Sequence, residues 1–303
     1  MNRTEASLDG IDFPPAARPL VPDRSELRTR LVTSLVLIPL FLVAIGVGGV
    51  VFLAAILFLV GVGTWEFLAM AAHKEFRPRR LAGLGLALAL PLTFYGAVVT
   101  VIELTALLAL GVVGIAVVQL FRTGEEGAIA AVATTVFGAL YVGFLFGHFV
   151  LVREIPREVA GMPYWIGAAL LAVPIALTWA NDTAAYAIGR RWGSRKLMPA
   201  VSPGKSVEGA IGALVVTIVV AIPLVALLDR WVDLFTLADG FALGVLIGMA
   251  APCGDLIESS FKRDAGVKDV SRLIPGHGGV LDRFDSLLVT VPLFYYYVRW
   301  AAL

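Results

Sequence analysis

The sequence predicts an all-α integral membrane protein of about nine transmembrane helices, with the N-terminus in the cytoplasm and the C-terminus outside. Three observations carry this expectation. Hydrophobic residues fill 59% of the 303 positions and charged residues only 16%, where soluble domains hold roughly 45–50% and about 25%. A soluble chain of this length has too much surface to be so apolar, so the excess faces lipid; the mean hydropathy of +0.88 has the same origin. The apolar residues fall into runs near the 20 residues that a helix needs to cross a bilayer core of about 30 Å. Finally, the net charge of only +1 hides a strong segregation of Lys and Arg between alternate runs.

Residues 1–30 stand apart. Pro14, Pro15, Pro19 and Pro22 and scattered charges predict a mobile cytoplasmic tail with a short amphipathic piece near Leu27. The tail is too long and too acidic for the n-region of a signal peptide, so the first apolar run is expected to stay as an anchor. Nine candidate spans follow, at 31–47, 50–71, 81–99, 104–121, 128–152, 163–188, 207–228, 238–261 and 285–301. The first two meet at Gly46-Val47-Gly48-Gly49, a tight helical hairpin. Pro39, Pro91, Pro174 and Pro223 lie inside spans, where neighbouring helices can satisfy the freed carbonyls. Residues 31–158 form an N-terminal set of helices and 159–303 a C-terminal set that holds the unusual polar residues. No repeat of the kind that builds inverted transporter halves is visible. Cys253 is the only cysteine, which excludes an intrachain disulfide and a thiolate metal site.

Orientation follows from the basic residues. With the N-terminus inside and nine spans, 20 of the 24 Lys and Arg residues fall in cytoplasmic segments, and the outside keeps Arg153, Arg157, Arg230 and Arg299. Tyr295, Tyr296, Tyr297 and Trp300 then form an aromatic belt at the outer interface.

Two cytoplasmic connections carry chemistry. In the first, Asn181 and Asp182 sit late in the sixth span, and Asp182 lies two helical turns, about 12 Å, before Arg190. Asp182 either pairs with a nearby Arg at the interface or contacts a cation or substrate, because acids within membrane segments commonly mark pathways or sites. Next comes Ser202-Pro203-Gly204-Lys205-Ser206-Val207-Glu208-Gly209. Its Gly-Lys-Ser is not a P-loop, since Pro199 stands where that motif needs glycine and no preceding strand is readable. It reads as a turn of small residues opening a helix. Such a helix start is either a plain cap or, with Lys205 beside free amides, a place for phosphate.

The second connection is more informative. Asp255, Glu258, Ser259 and Lys262 are spaced i, i+3, i+4 and i+7 on one helix face. The chain continues through Lys268-Asp269 and Pro275-Gly276-His277-Gly278-Gly279 to Asp282-Arg283-Phe284-Asp285-Ser286, where Asp282, Asp285 and Ser286 again share a face. Two acid-bearing helix ends joined by a glycine-rich loop can converge on one cation. Oxygen ligands without His or Cys favour Mg²⁺, which keeps waters and bridges to phosphate oxygens.

At this point the sequence resembles the phosphatidate cytidylyltransferase (CDP-diacylglycerol synthase) family. The family signature is met by Ser259, Phe261, Lys262, Arg263, Lys268, Asp269, Ser271, Ile274, Pro275, His277, Gly278, Gly279, Val280, Asp282, Arg283, Phe284 and Asp285. The stretches Asn181 to Tyr186, Gly189-Arg190 and Ser202 to Gly209 are similar to the family too, with Gly204 and Ser206 as mild departures. The recognisable region covers roughly residues 160–290. The resemblance implies that phosphatidic acid attacks the α-phosphorus of CTP, giving CDP-diacylglycerol and pyrophosphate. It also implies a homodimer in the bacterial cytoplasmic membrane, and Mg²⁺ at Asp255 and Asp282 with a possible second cation, K⁺ or another Mg²⁺. Lys262, Arg263, Lys205 and Arg283 are candidates to grip phosphates, and Ser259 to hydrogen-bond the lipid phosphate or the nucleotide. His277 shapes the loop, contacts the nucleotide or assists proton transfer. Ser202, Asn181, Asp182, Lys268, Asp269 and Asp285 complete the implied substrate surface. No nucleic-acid partner is expected.

Two other functions share this composition. A CTP-dependent kinase of lipid alcohols would transfer the γ-phosphate and leave CDP. An ion-coupled transporter also uses buried acids, but its site is expected near the midplane rather than at the cytoplasmic boundary.

Overall fold

The computed structural model describes residues 24–74, 76–95, 101–121, 126–271, 273 and 278–303. Each predicted apolar run contains a helix. In order these are α1 (Arg24–Val47), α2 (Gly49–Ala72), α3 (Arg80–Phe94), α4 (Val101–Leu120), α5 (Ala128–Ala139) and α6 (Leu145–Glu158), followed by α7 (Ile166–Trp192), α8 (Val207–Val232), α9 (Leu237–Asp264), α10 (Leu281–Phe284) and α11 (Leu287–Tyr297). A π-helical turn, Leu140–Phe144, joins α5 to α6, and another, Val298–Ala302, extends α11. Among the described residues six helical stretches are long and apolar enough to cross a membrane: α2, α4, α5 with α6, α7, α8 and α9. The apolar part of α1 and the whole of α3 are shorter. α1 begins at Arg24, so the piece near Leu27 is continuous with the first apolar run. The rest of the predicted tail lies outside the described residues.

One element departs from the all-helical expectation. Between α7 and α8 runs an antiparallel hairpin, β1 (Lys196–Met198) and β2 (Ser202–Ser206), pairing Lys196 with Ser206 and Met198 with Ser202 around an irregularity. Strands this short, one of them carrying Pro203 and Gly204, have no apolar alternation by which a sequence announces them. The hairpin delivers Ser206 as the N-cap of α8, its Oγ accepting from the Gly209 amide at 3.2 Å.

The C-terminal helices pack by removing side chains where backbones meet. Gly240, Gly244 and Gly248 recur every four residues on α9 and face Ile222, Ile218 and Leu214 of α8; a Cβ at Gly244 would stand 2.6 Å from the Ile218 Cα. Small residues at this spacing let membrane helices approach closely. Asn181 of α7 fastens the same junction, donating to Thr217 Oγ1 at 3.0 Å and to the Gly248 carbonyl at 3.2 Å. The turn from α8 to α9 is closed by Asp229, which accepts from the Leu234 and Phe235 amides, and by a Thr236–Asp239 capping box.

At the same end of the bundle, the α1–α2 turn uses Gly48 at φ 69°, a conformation that costs glycine little. A Cβ there would fall on the guanidinium of Arg153. That arginine, 1% exposed, reaches the Ile45, Gly46 and Tyr164 carbonyls. It therefore satisfies carbonyls that the end of α1 leaves without helical partners. The opposite end gathers the C-termini of α2, α7 and α9, the start of α8, and α10. A surface pair, Lys74 to Asp264 at 3.1 Å, links α2 to α9 there.

Candidate active site

Three elements converge on Asp255. It lies near the C-terminus of α9, a helix whose last turn carries Lys262 and Arg263 and so places its acids and bases on successive turns. Ser259, one turn on, donates to Asp255 Oδ1 at 3.1 Å. Lys205 reaches in from β2, its Nζ 2.8 Å from Asp255 Oδ2 and 3.3 Å from the Pro252 carbonyl. The hairpin thus acts as an arm that carries a lysine over the end of α9. Asp182, exposed on α7, lies within electrostatic reach of Asp255 and Lys205.

A second cluster adjoins the first. Lys262 Nζ sits between Glu258 Oε1, at 3.0 Å, and Asp282 Oδ1, at 2.7 Å. All three side chains are nearly enclosed, at 11%, 1% and 5% exposure, so the lysine balances two carboxylates in a place where water screens little. Asp282 also closes the return of the chain. Its Oδ2 accepts from the Val270 amide at 3.0 Å and the Gly279 amide at 2.8 Å. Gly278, at φ 85°, turns the backbone beneath it. Asp285 completes the set, with its Oδ1 accepting from the Ser286 amide at 2.6 Å. It lies within electrostatic reach of Asp255, Lys262 and Asp182. Gly254 lets this segment approach α9, since a Cβ there would lie 2.6 Å from the Asp285 carbonyl oxygen. The helix is interrupted at residues 285–286, so Asp282 lies in α10 and Asp285 in the break between α10 and α11.

The model of the Cytidylyltransferase family matches residues 28–301, nearly the whole chain. The chain belongs to that family. Among similar proteins, the phosphatidate cytidylyltransferase of Staphylococcus saprophyticus is 30% identical over 268 residues, covering 88% of this chain and 97% of that one. The phosphatidate cytidylyltransferase of Haemophilus influenzae is 48% identical over 132 residues, 43% of this chain and 46% of that one. The uncharacterized protein YnbB of Escherichia coli is 37% identical over 183 residues, 60% of this chain and 58% of that one.

In this cytidylyltransferase-family chain, Asp182, Lys205, Asp255, Ser259, Lys262, Asp282 and Asp285 stand in one continuous polar zone. Asn181, though next to Asp182, turns away into the α7–α8–α9 packing and is 1% exposed. Asp182 does not meet Arg190, whose Nη1 bonds Tyr186 instead. Arg263 is exposed and spans from the Val201 carbonyl to the Val267 carbonyl, tying the hairpin to the end of α9. Ser202 is half-buried in β2; Lys268 and Arg283 are exposed, and Asp269 is half-buried in the loop. His277 lies outside the described residues, as do Ile274, Pro275 and Gly276.

Sequence reasoning missed Glu66 and Tyr141, both of which border the zone. Tyr141 is 7% exposed within the first π-helical turn, and neither its hydroxyl nor Glu258 Oε2 has a hydrogen-bond partner among the described residues. Such turns recur at functional places in helices, but no periodicity in the sequence announces them. Glu66 did leave a signal: it is the only charged residue in its apolar run.

The donor set can be tested against Mg²⁺ on chemistry. Five acids (Asp182, Asp255, Glu258, Asp282 and Asp285) surround two lysines, a surplus of negative charge on oxygen donors. Among the described residues no three acids or histidines form a ready cage. Mg²⁺ does not need one, because it is commonly held by one or two carboxylates together with waters and substrate phosphates. The residues fit that mode.

Proposed function

We propose that this chain is a phosphatidate cytidylyltransferase, joining CTP to phosphatidic acid with release of pyrophosphate. The observation that carries this reading is the contact between Lys262 and Asp282, which folds the two ends of the signature onto each other beside Asp255. In the reaction a phosphate oxygen of phosphatidic acid attacks the α-phosphorus of CTP. One P–O bond forms, the bond to the β-phosphate oxygen breaks, and pyrophosphate leaves with that electron pair. The attacking phosphate monoester is already a nucleophile near neutral pH. Transfer at phosphorus rests on positioning and charge neutralisation more than on covalent help. Lys205 and Lys262 are placed to exchange carboxylate partners for phosphate oxygens, and Arg263 and Arg283 add positive charge at the exposed rim. Ser259 orients Asp255 and is available to the lipid phosphate or the nucleotide. Asp255 and Asp282 would hold one Mg²⁺, which supplies neutralising charge on the phosphates. The remaining acid surplus suits a second cation, K⁺ or another Mg²⁺.

The deciding experiment incubates purified protein with CTP, phosphatidic acid and Mg²⁺ and assays pyrophosphate, CDP and CDP-diacylglycerol together. Pyrophosphate and CDP-diacylglycerol are expected in equal amounts. CDP with a lipid phosphate from an added lipid alcohol would mean a kinase, and no lipid product with either acceptor would remove the enzymatic reading.

The same reading sets the chain in a bacterial cytoplasmic membrane as a homodimer, with nine spans, the N-terminus inside and the site facing the cytoplasm. The segregation of 20 of 24 basic residues supports the orientation. In a background lacking Cys253, a cysteine at exposed Lys196 is expected to react only with reagent on the cytoplasmic side. One at exposed Arg230 should react from outside. Labelling of position 196 from outside would reverse the topology and move the site to the wrong side for CTP.

A further inference from the structure

Glu66 is a carboxylate in the C-terminal part of the apolar helix α2, 2% exposed, and the chemistry described so far gives it no task. Its three hydrogen bonds all come from the chain that frames the loop between α9 and α10. Ser271 Oγ donates to Oε1 at 2.5 Å, and the Val280 amide donates to the same oxygen at 3.1 Å. The Leu281 amide donates to Oε2 at 3.1 Å. Gly279 lies flat against the carboxylate, where a Cβ would come 2.7 Å from Oε1.

The pattern interlocks with that of Asp282. Asp282 takes the amides of Val270 and Gly279, and Glu66 takes the Ser271 hydroxyl and the next two amides, Val280 and Leu281. Each carboxylate therefore bridges both stems of the loop, one from inside the loop's own segment and one from α2, more than 200 residues away in sequence. Only a carboxylate suits the Glu66 position, because donors point at both of its oxygens. An amide would turn an N–H toward one of them.

We propose that Glu66 is a positioning residue for the transfer reaction: it clamps both stems of the signature loop so that Asp282 is held against Lys262 and beside Asp255. The proposal rests on the cytidylyltransferase reading for its catalytic consequence, but the clamp itself can be read without substrate.

The test compares the full-length parent with Glu66→Gln, Ser271→Ala and, as a control on the same helix, Thr64→Val. Outer-shell partners of this kind commonly change activity by about 10–100-fold. Glu66→Gln is expected to lower kcat within that range while KM for CTP stays within about threefold, and Ser271→Ala to give a smaller loss of the same form. Without substrate, amide exchange at Val280 and Leu281 should quicken by about tenfold or more in Glu66→Gln, with the α7–α8 amides unchanged. Thr64→Val should leave both readouts at parent values. Parent kcat in Glu66→Gln would overturn the proposal. So would exchange that quickens equally throughout the protein, which would make Glu66 a general support of the fold. If Glu66→Gln fails to fold, Ser271→Ala decides by the same two readouts. A parent without transferase activity would sink the functional reading alone, and the local exchange change would still report on the clamp.

Discussion

Asp255→Asn and Asp282→Asn are each expected to lower turnover by about 100-fold or more, and for different reasons. Each change removes a formal charge and a strong oxygen ligand with little change in size. At Asp255 the surroundings tolerate the swap, because the side chain is partly open at 36% exposure and its partners, Ser259 and Lys205, are single contacts. Its thermal stability should stay near that of the parent. Asp282 is enclosed and accepts at both oxygens, from a lysine on one and two amides on the other. An asparagine there sets an N–H₂ against one of those donors, so its variant should also lose stability and loosen the loop. If the two acids serve one ion, the double variant is scarcely worse than the weaker single one, since groups acting as a unit are not additive. Asp264→Asn is the control: its surface pair with Lys74 is worth less than about 1 kcal/mol, and activity should be retained. Pyrophosphate release across a Mg²⁺ titration decides the matter. Multiplicative losses, or a parent-like Mg²⁺ dependence in Asp255→Asn, would show that the two carboxylates do not share a catalytic ion.

The sequence made the helices and the signature legible for separate reasons. Hydropathy reports a helix wherever a side-chain run can face lipid, so the predicted runs agree with α2, α4, α7, α8 and α9 to within a few residues. The spacing from Asp255 to Lys262 is local to one helix, and the structure keeps it on one face. Long-range partners were not legible. Nothing in the order of residues says that Lys205 will meet Asp255 or that Lys262 will meet Asp282 across a loop. The family resemblance puts Asn181 on the substrate surface beside Asp182, yet a helix turns successive side chains by about 100°, and Asn181 ties three helices together instead. Glu66 shows the converse. A lone acid in an apolar run is a reason by itself to expect function, and only its partners were hidden.

Lys262 is where the structure most changes the expectation drawn from sequence. The family resemblance makes it a candidate to grip phosphates, a role that by itself predicts no part in holding the fold. Instead it is buried between Glu258 and Asp282, and Lys262→Met would leave two carboxylates without their cation. Breaking a buried pair by removing one partner commonly costs about 3–5 kcal/mol, so this variant should be both inactive and clearly less stable in detergent. Stability and turnover can then be separated with a second change. Glu258→Gln in the Lys262→Met background removes one of the stranded charges, and the double variant should regain much of the lost thermal stability. Turnover should not return, because the charge that would meet phosphate is still missing. A double variant that recovered both stability and kcat would reduce Lys262 to a structural counter-ion and leave Lys205 as the only buried or half-buried lysine of the described zone available to the phosphates.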